Sequence, residues 1–320
     1  MSMRTELWKH SRNIRPTLLA FLVWILFLGM VAAAIQMKDQ QTPSTDPLMS
    51  RVGQPSELAV NEFRKAGMEE VRTHILTNAE RAKVEAAIGS LPFLNRDALN
   101  KHLHQLAFVD GIPGEGTGLT SPATQHGQFD ITFRASLINE SLSAFLTTKE
   151  RRTFTDDHSG TTVTVTGTGT DALTYVLLHE SSHVLDATCG ITKIFPNSFG
   201  KNIWTAEHDM APSLAQLLAA RTYFHGGARI PAKKAPEVYD SLSKTPFISL
   251  YATASAKEDF AELVAWREIQ HLYGGTLTVA VSEPGTRSAR EWDPLSFPDL
   301  QNRFAQVDQL ERQGYSCLVN

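Results

Sequence analysis

His179, Glu180 and His183 stand in the spacing H-E-x-x-H, residue types that together can do hydrolytic chemistry. On a helix, residues four apart lie one turn apart on one face. Two imidazoles can therefore meet one metal ion while the carboxylate of Glu180 reaches a water on it. The expected chemistry is attack of activated water on a polarised carbonyl, with Zn2+ as cofactor and Glu180 as general base. A catalytic zinc takes three protein ligands and keeps its fourth position for water, so a further ligand must come from elsewhere in the chain.

The element that positions the motif reads as a buried helix. Thr170 or Asp171 can cap its start, Tyr175-Val176-Leu177-Leu178 supplies an apolar run, and Gly190 supplies a stop. The metzincin pattern would need Gly and His at positions 186 and 189, where Asp186 and Cys189 stand, and is excluded. Asp186, on the same helix three residues past His183, is placed to orient a ligand rather than to be one. Cys189 as a thiolate ligand is the minor alternative. A second helix is expected from Ser255 to Gly274-Gly275, with Phe260, Leu263, Val264 and Ile269 facing a core and Glu258 and Glu262 one turn apart. That acidic pair is the candidate source of the third ligand, although Ser255 and Glu258 also fit a capping box that needs no metal.

The combination of His179-Glu180-x-x-His183-x-x-Asp186 with Tyr251 and Glu258-x-Phe260-Ala261-Glu262 resembles the gluzincin metallopeptidases, and within them the anthrax lethal factor type of catalytic domain. The match covers two short segments. It implies an α+β, zincin-like domain, mostly helical with a small mixed sheet, that hydrolyses peptide bonds of a peptide or protein substrate. It further implies that His179, His183 and Glu258 hold the zinc, that Tyr251 donates its hydroxyl to the transition state, and that Glu262 hydrogen-bonds a ligand histidine. The 75 positions between His183 and Glu258 depart from the family pattern, so substrate specificity does not carry over.

At the N-terminus, Arg4, Lys9, Arg12 and Arg15 precede an uncharged run from Thr17 to Ile35. About 17 to 25 apolar residues span a bilayer, and the basic flank places the N-terminus inside. Residues 1–35 are therefore expected to be a signal or single-pass anchor segment that holds the remainder outside the membrane. Secretion after cleavage near Ala34 is the alternative, since Ala32-Ala33-Ala34 suits signal peptidase. Residues 36–55 read as a Pro- and Gly-containing linker and 56–320 as one domain.

Within that domain, helices are expected at Glu57–Lys65, about Val71–Leu76, Asn78–Ile88, Asn95–His104 and Pro212–Phe224. Strands are expected at Leu106–Val109, Phe129–Arg134 and Thr161–Thr166, the last also readable as a surface hairpin. Gln128–Arg134 is the candidate sheet edge for an extended substrate, with Gly111–Gly118 as a mobile loop beside it. Trp204, His208 and Asp209 would wall the cleft. Glu207 and His208 read as ordinary loop residues, and the remaining histidines show no ligand spacing.

With 30 basic and 34 acidic residues and a net charge of −4, the chain has no cationic field for nucleic acid. Cys189 and Cys317, the only cysteines, fit an oxidising compartment if they pair, and two buried free thiols are the alternative. Two other function classes are compatible with the motif: a non-catalytic zinc sensor or scaffold, and a hydrolase of a non-peptide amide such as a cell-wall component. Nothing in the sequence specifies an oligomeric state.

Overall fold

A computed structural model describes residues 46–193 and 199–314. The apolar run 17–35 and Cys317 lie outside the described residues. Among the described residues no helix is long and apolar enough to cross a membrane.

The architecture is α+β. The chain begins with β1 (Val52–Gly53), α1 (Glu57–Lys65), β2 (Glu69–Thr73), α2 (Asn78–Gly89), α3 (Phe93–His102), β3 (Leu103–Ile112), β4 (Gly118–Pro122) and β5 (Phe129–Arg134). It continues through α4 (Leu142–Arg151), β6 (Phe154–Thr155), β7 (Thr162–Gly167), α5 (Ala172–Cys189), α6 (Pro212–Ala215), β8 (Ile230–Pro231) and α7 (Ala235–Leu242). The last elements are α8 (Ala256–Tyr273), β9 (Leu277–Ser282), β10 (Arg290–Trp292) and α9 (Pro298–Arg312).

In the main sheet β3 lies between β1 and β5, with β2 also pairing with β3 and β4 forming the outer strand against β5. The β3–β5 pairing is parallel and the β4–β5 pairing antiparallel. A second, antiparallel sheet runs β10-β9-β7. Its strand β7 alternates so that Val163 and Val165 are buried while the threonines between them face outward, as a half-buried strand requires.

The motif helix α5 is buried along nearly its whole length, from Ala172 to Asp186 apart from His183, which is why its sequence lacks a polar stripe. Asp171 caps its start by accepting from the Thr174 amide at 2.8 Å, and Gly190 ends it at φ +66°, a left-handed conformation that glycine adopts without strain. Its partner α8 has the same design, with Ser255 at the start and Gly274 (φ +60°) at the end. The two helices pack together, and the Tyr175 and Trp266 rings lie 5.5 Å apart between them. On its other side α5 is tied to α3, where buried Asn95 donates to Ser181 at 2.8 Å and to Ser182 at 3.2 Å. The two variable residues of the pentapeptide thus lock the helix in place.

Several sequence expectations are corrected. The segment Val71–Leu76 is not helical: Glu69–Thr73 is strand β2, paired with β3 through an irregular register. Its residues Glu-Glu-Val-Arg-Thr carry no helical apolar stripe, so pairing decides the backbone. Pro212–Phe224 is not one helix. After α6, Leu217 turns extended so that Ala219 and Ala220 are buried, and the Ser241 hydroxyl of α7 accepts from the Ala219 amide at 3.1 Å. The α3 helix stops at His102, where β3 begins. β7 pairs with the distant β9 rather than forming a local hairpin.

The sheet edge is β4, not Phe129–Arg134, which lies inside the sheet as β5. The segment before β4 is anchored: Glu115 bonds the Ala66 carbonyl through its amide, and its carboxylate accepts from Arg229 and Tyr223. The linker expected to end at residue 55 is shorter, since Leu48 and Met49 belong to the core and Val52–Gly53 pairs with β3.

Candidate metal centre

His179 and His183 project from one face of α5, with ring centroids 4.8 Å apart and planes nearly perpendicular. Glu258, in the first turn of α8, faces them. The Nε2 atoms of the two histidines are 3.2 Å apart, and Glu258 Oε2 lies 2.9 Å from Nε2 of His179 and 3.5 Å from that of His183. Zinc bonds of roughly 2.0–2.2 Å at tetrahedral angles would set neighbouring donors about 3.3 Å apart. The three donor atoms thus have the spacing of one face of such a tetrahedron. Ser255 caps the Glu258 amide at 3.2 Å, but the Glu258 side chain is turned to the histidines, so the capping box is only half formed.

The charges fit a cation as well. Burial alone would lower the basicity of His179, yet the carboxylates of Glu258 and Glu262 outweigh it and raise its pKa to about 9. Burial would raise the Glu258 pKa, and the two histidines instead hold it well below the usual carboxylate range. Three carboxylates, those of Glu180, Glu258 and Glu262, thus stand around the two imidazoles.

Glu262, one turn beyond Glu258, is buried beneath His179. Its Oε1 lies 3.2 Å from His179 Nδ1, but off the line of a good hydrogen bond, since that nitrogen has no well-aligned partner. The same oxygen accepts from Tyr175 and lies 3.3 Å from Lys149 Nζ, while Oε2 accepts from Ser249 at 2.7 Å. Burial opposes ionisation of Glu262, and Lys149, His179 and Tyr175 overcome it to set its pKa at about 2. Glu262 is therefore a fixed anion behind His179.

Tyr251, in a 3₁₀ turn just before α8, reaches the same place, with its ring 5.8 Å from that of His179. Lys149 Nζ sits 3.4 Å from the Tyr251 ring centroid, a close cation–π contact. Burial, then the charges of Glu258 and Glu180, hold the phenol well above its usual pKa, so it stays a donor. Glu180 is also buried, and its Oε2 accepts from Thr120 of β4 at 2.8 Å. Glu180, His183, Glu258 and Tyr251 line one cleft of about 340 Å3, together with β4 and Lys257.

Other expected residues stand elsewhere. Asp186 is on the cleft wall, but both its oxygens accept from Thr192, at 2.7 Å each, closing the turn after α5 instead of orienting a histidine. Cys189 is disulfide-bonded and is thereby removed as a thiolate ligand. Glu207 pairs with Lys257 at 2.8 Å, and His208 is exposed. Trp204 is in the core rather than on the cleft, donating to the buried Asp259.

The histidines set aside in the sequence include His271, which meets Asp308 and Glu311 in a second cluster. Both oxygens of Asp308 there are already held by Arg267. Lys149, Tyr175, Ser249, Gly118 and Thr120 were missed. Their roles depend on contacts across packed elements, and no local spacing announces them.

No family model matches the chain, and no curated protein or solved structure matches it.

Proposed function

We propose that the chain is a zinc-dependent metallopeptidase of the gluzincin type, with a zincin-like domain that hydrolyses peptide bonds of a peptide or protein substrate. The observation that carries the reading is the convergence of His179, His183 and Glu258 at tetrahedral spacing from two helices far apart in sequence, beside a buried Glu180 in one cleft. When bound, zinc would polarise the scissile carbonyl and acidify the attacking water. His179, His183 and Glu258 would hold it.

Glu180 takes the proton from the attacking water and passes it to the departing amine. Tyr251 donates its hydroxyl to the oxygen on which negative charge develops. Glu262, held ionised by Lys149, His179 and Tyr175, places a fixed negative charge 3.2 Å from Nδ1 of His179. The outer strand β4 borders the cleft, and among the described residues no strand pairs with its outer edge, which suits main-chain pairing with an extended peptide.

The proposal includes an exported domain, anchored by or cleaved from residues 1–35. The disulfide at Cys189 supports an oxidising compartment.

The test is cleavage of a diverse peptide library by the zinc-loaded full chain and by Glu180→Gln. The variant should keep about one zinc per chain and lose at least about 100-fold in turnover. Full activity in the variant, or a parent that binds no zinc, would overturn the reading.

A further inference from the structure

The outer strand β4 does more than border the cleft, because two of its residues set the position of Glu180. Thr120 Oγ1 lies 2.8 Å from Glu180 Oε2 and 3.1 Å from the Glu180 carbonyl oxygen. A hydroxyl has one hydrogen to give, and the charged carboxylate is the stronger acceptor. Among the described residues Thr120 supplies the only side-chain hydrogen bond to this carboxylate. Gly118 is two residues earlier and so on the same face of the strand. A Cβ at Gly118 would stand 2.6 Å from Glu180 Oε1 and 3.0 Å from Val176 Cγ1, closer than side-chain atoms pack. One residue of β4 thus leaves room for one carboxylate oxygen, and the other bonds its neighbour.

We infer that Thr120 is a positioning residue for the general base. Its hydroxyl, with the space left by Gly118, fixes the Glu180 carboxylate in a single orientation. The inference rests on the metallopeptidase reading for its consequence in turnover, but not for its geometry. Because both residues lie on the strand proposed to pair with substrate, a peptide docked on β4 is registered against the same backbone that holds the base. Misplacing a proton acceptor costs rate rather than ground-state affinity, since the acceptor acts only as the proton moves.

The experiment compares the zinc-loaded full chain with Thr120→Val, which keeps the shape and removes the donor, and with Thr120→Ser, which restores the donor. For Thr120→Val, kcat should fall at least about tenfold, with KM and zinc content within about twofold of the parent, and Thr120→Ser should recover most of the loss. Crystal structures of the three proteins give a readout independent of activity. Glu180 should hold one conformer bonded to residue 120 in the parent and in Thr120→Ser, and should leave it in Thr120→Val. A Glu180 carboxylate unmoved in Thr120→Val, or an equal loss of kcat in Thr120→Val and Thr120→Ser, would overturn the inference. A parent that binds zinc but cleaves no peptide would instead overturn the metallopeptidase reading, and the crystal structures would still decide the role of Thr120.

Discussion

Tyr251 has its ring centroid 3.4 Å from the Lys149 ammonium and 5.8 Å from that of the His179 imidazole, and it lines the cleft with Glu180 and Glu258. A phenol kept protonated beside carboxylates can donate to an oxygen that gains charge during reaction, and losing one such donor typically costs about 100- to 1,000-fold in turnover. Tyr251→Phe should therefore lower kcat about 100-fold with KM and zinc content nearly unchanged, measured by steady-state kinetics on a peptide that the parent cleaves. A change confined to KM would show that the hydroxyl binds ground state and transition state equally and does not lower the chemical barrier. At this scale the sequence was most legible where one helix fixes the spacing, as for His179, Glu180 and His183. The acidic pair Glu258 and Glu262 stood out by its helical spacing, whereas the choice of Glu258 as the ligand and the role of Tyr251 needed a family resemblance. Thr120 and Gly118 were invisible, because their relation to Glu180 is created by a strand packing on a helix and leaves no pattern along the chain.

The helices that carry the site announce themselves through their ends: Asp171 and Gly190 bound α5, and Ser255 and Gly274 bound α8. Strand β4 was missed because five residues containing Gly118 and Pro122 have weak strand character of their own, and pairing with β5 makes the strand. Behind the site, Glu150 at the end of α4 is buried and accepts from Tyr239 of α7 at 2.8 Å. Burial raises its pKa from 4.5 to about 7 against the opposing pull of Tyr239 and Lys149. The folded state therefore binds the proton more tightly than the unfolded state. The resulting stability is fully present below pH 4.5 and is lost as pH rises through about 7, a loss of order 3 kcal/mol. Glu150→Gln, which keeps an acceptor for Tyr239, should flatten that part of the pH profile in urea denaturation. An unchanged fall between pH 4.5 and 7 would assign it to other groups.

For the molecule as a whole, the α+β class expected from the family resemblance agrees with the observed mixture of capped helices and small sheets. The assembly of the site was not legible. Its two halves come from separate helices, with Glu258 75 positions after His183, and they meet because Tyr175, Trp266 and their neighbours pack α5 against α8. The buried Arg303–Asp259 pair, at 2.6 Å, braces the far side of α8 against α9. The packing of α5 against α8 holds Nε2 of His179, Nε2 of His183 and Oε2 of Glu258 within 3.5 Å of one another. The most direct measurement is zinc-edge X-ray absorption on the zinc-loaded full chain. The spectrum should report two imidazole nitrogens and a carboxylate oxygen at about 2.0–2.2 Å, with one further light atom. Absence of retained zinc, or a sulfur scatterer at about 2.3 Å, would contradict a centre built from His179, His183 and Glu258.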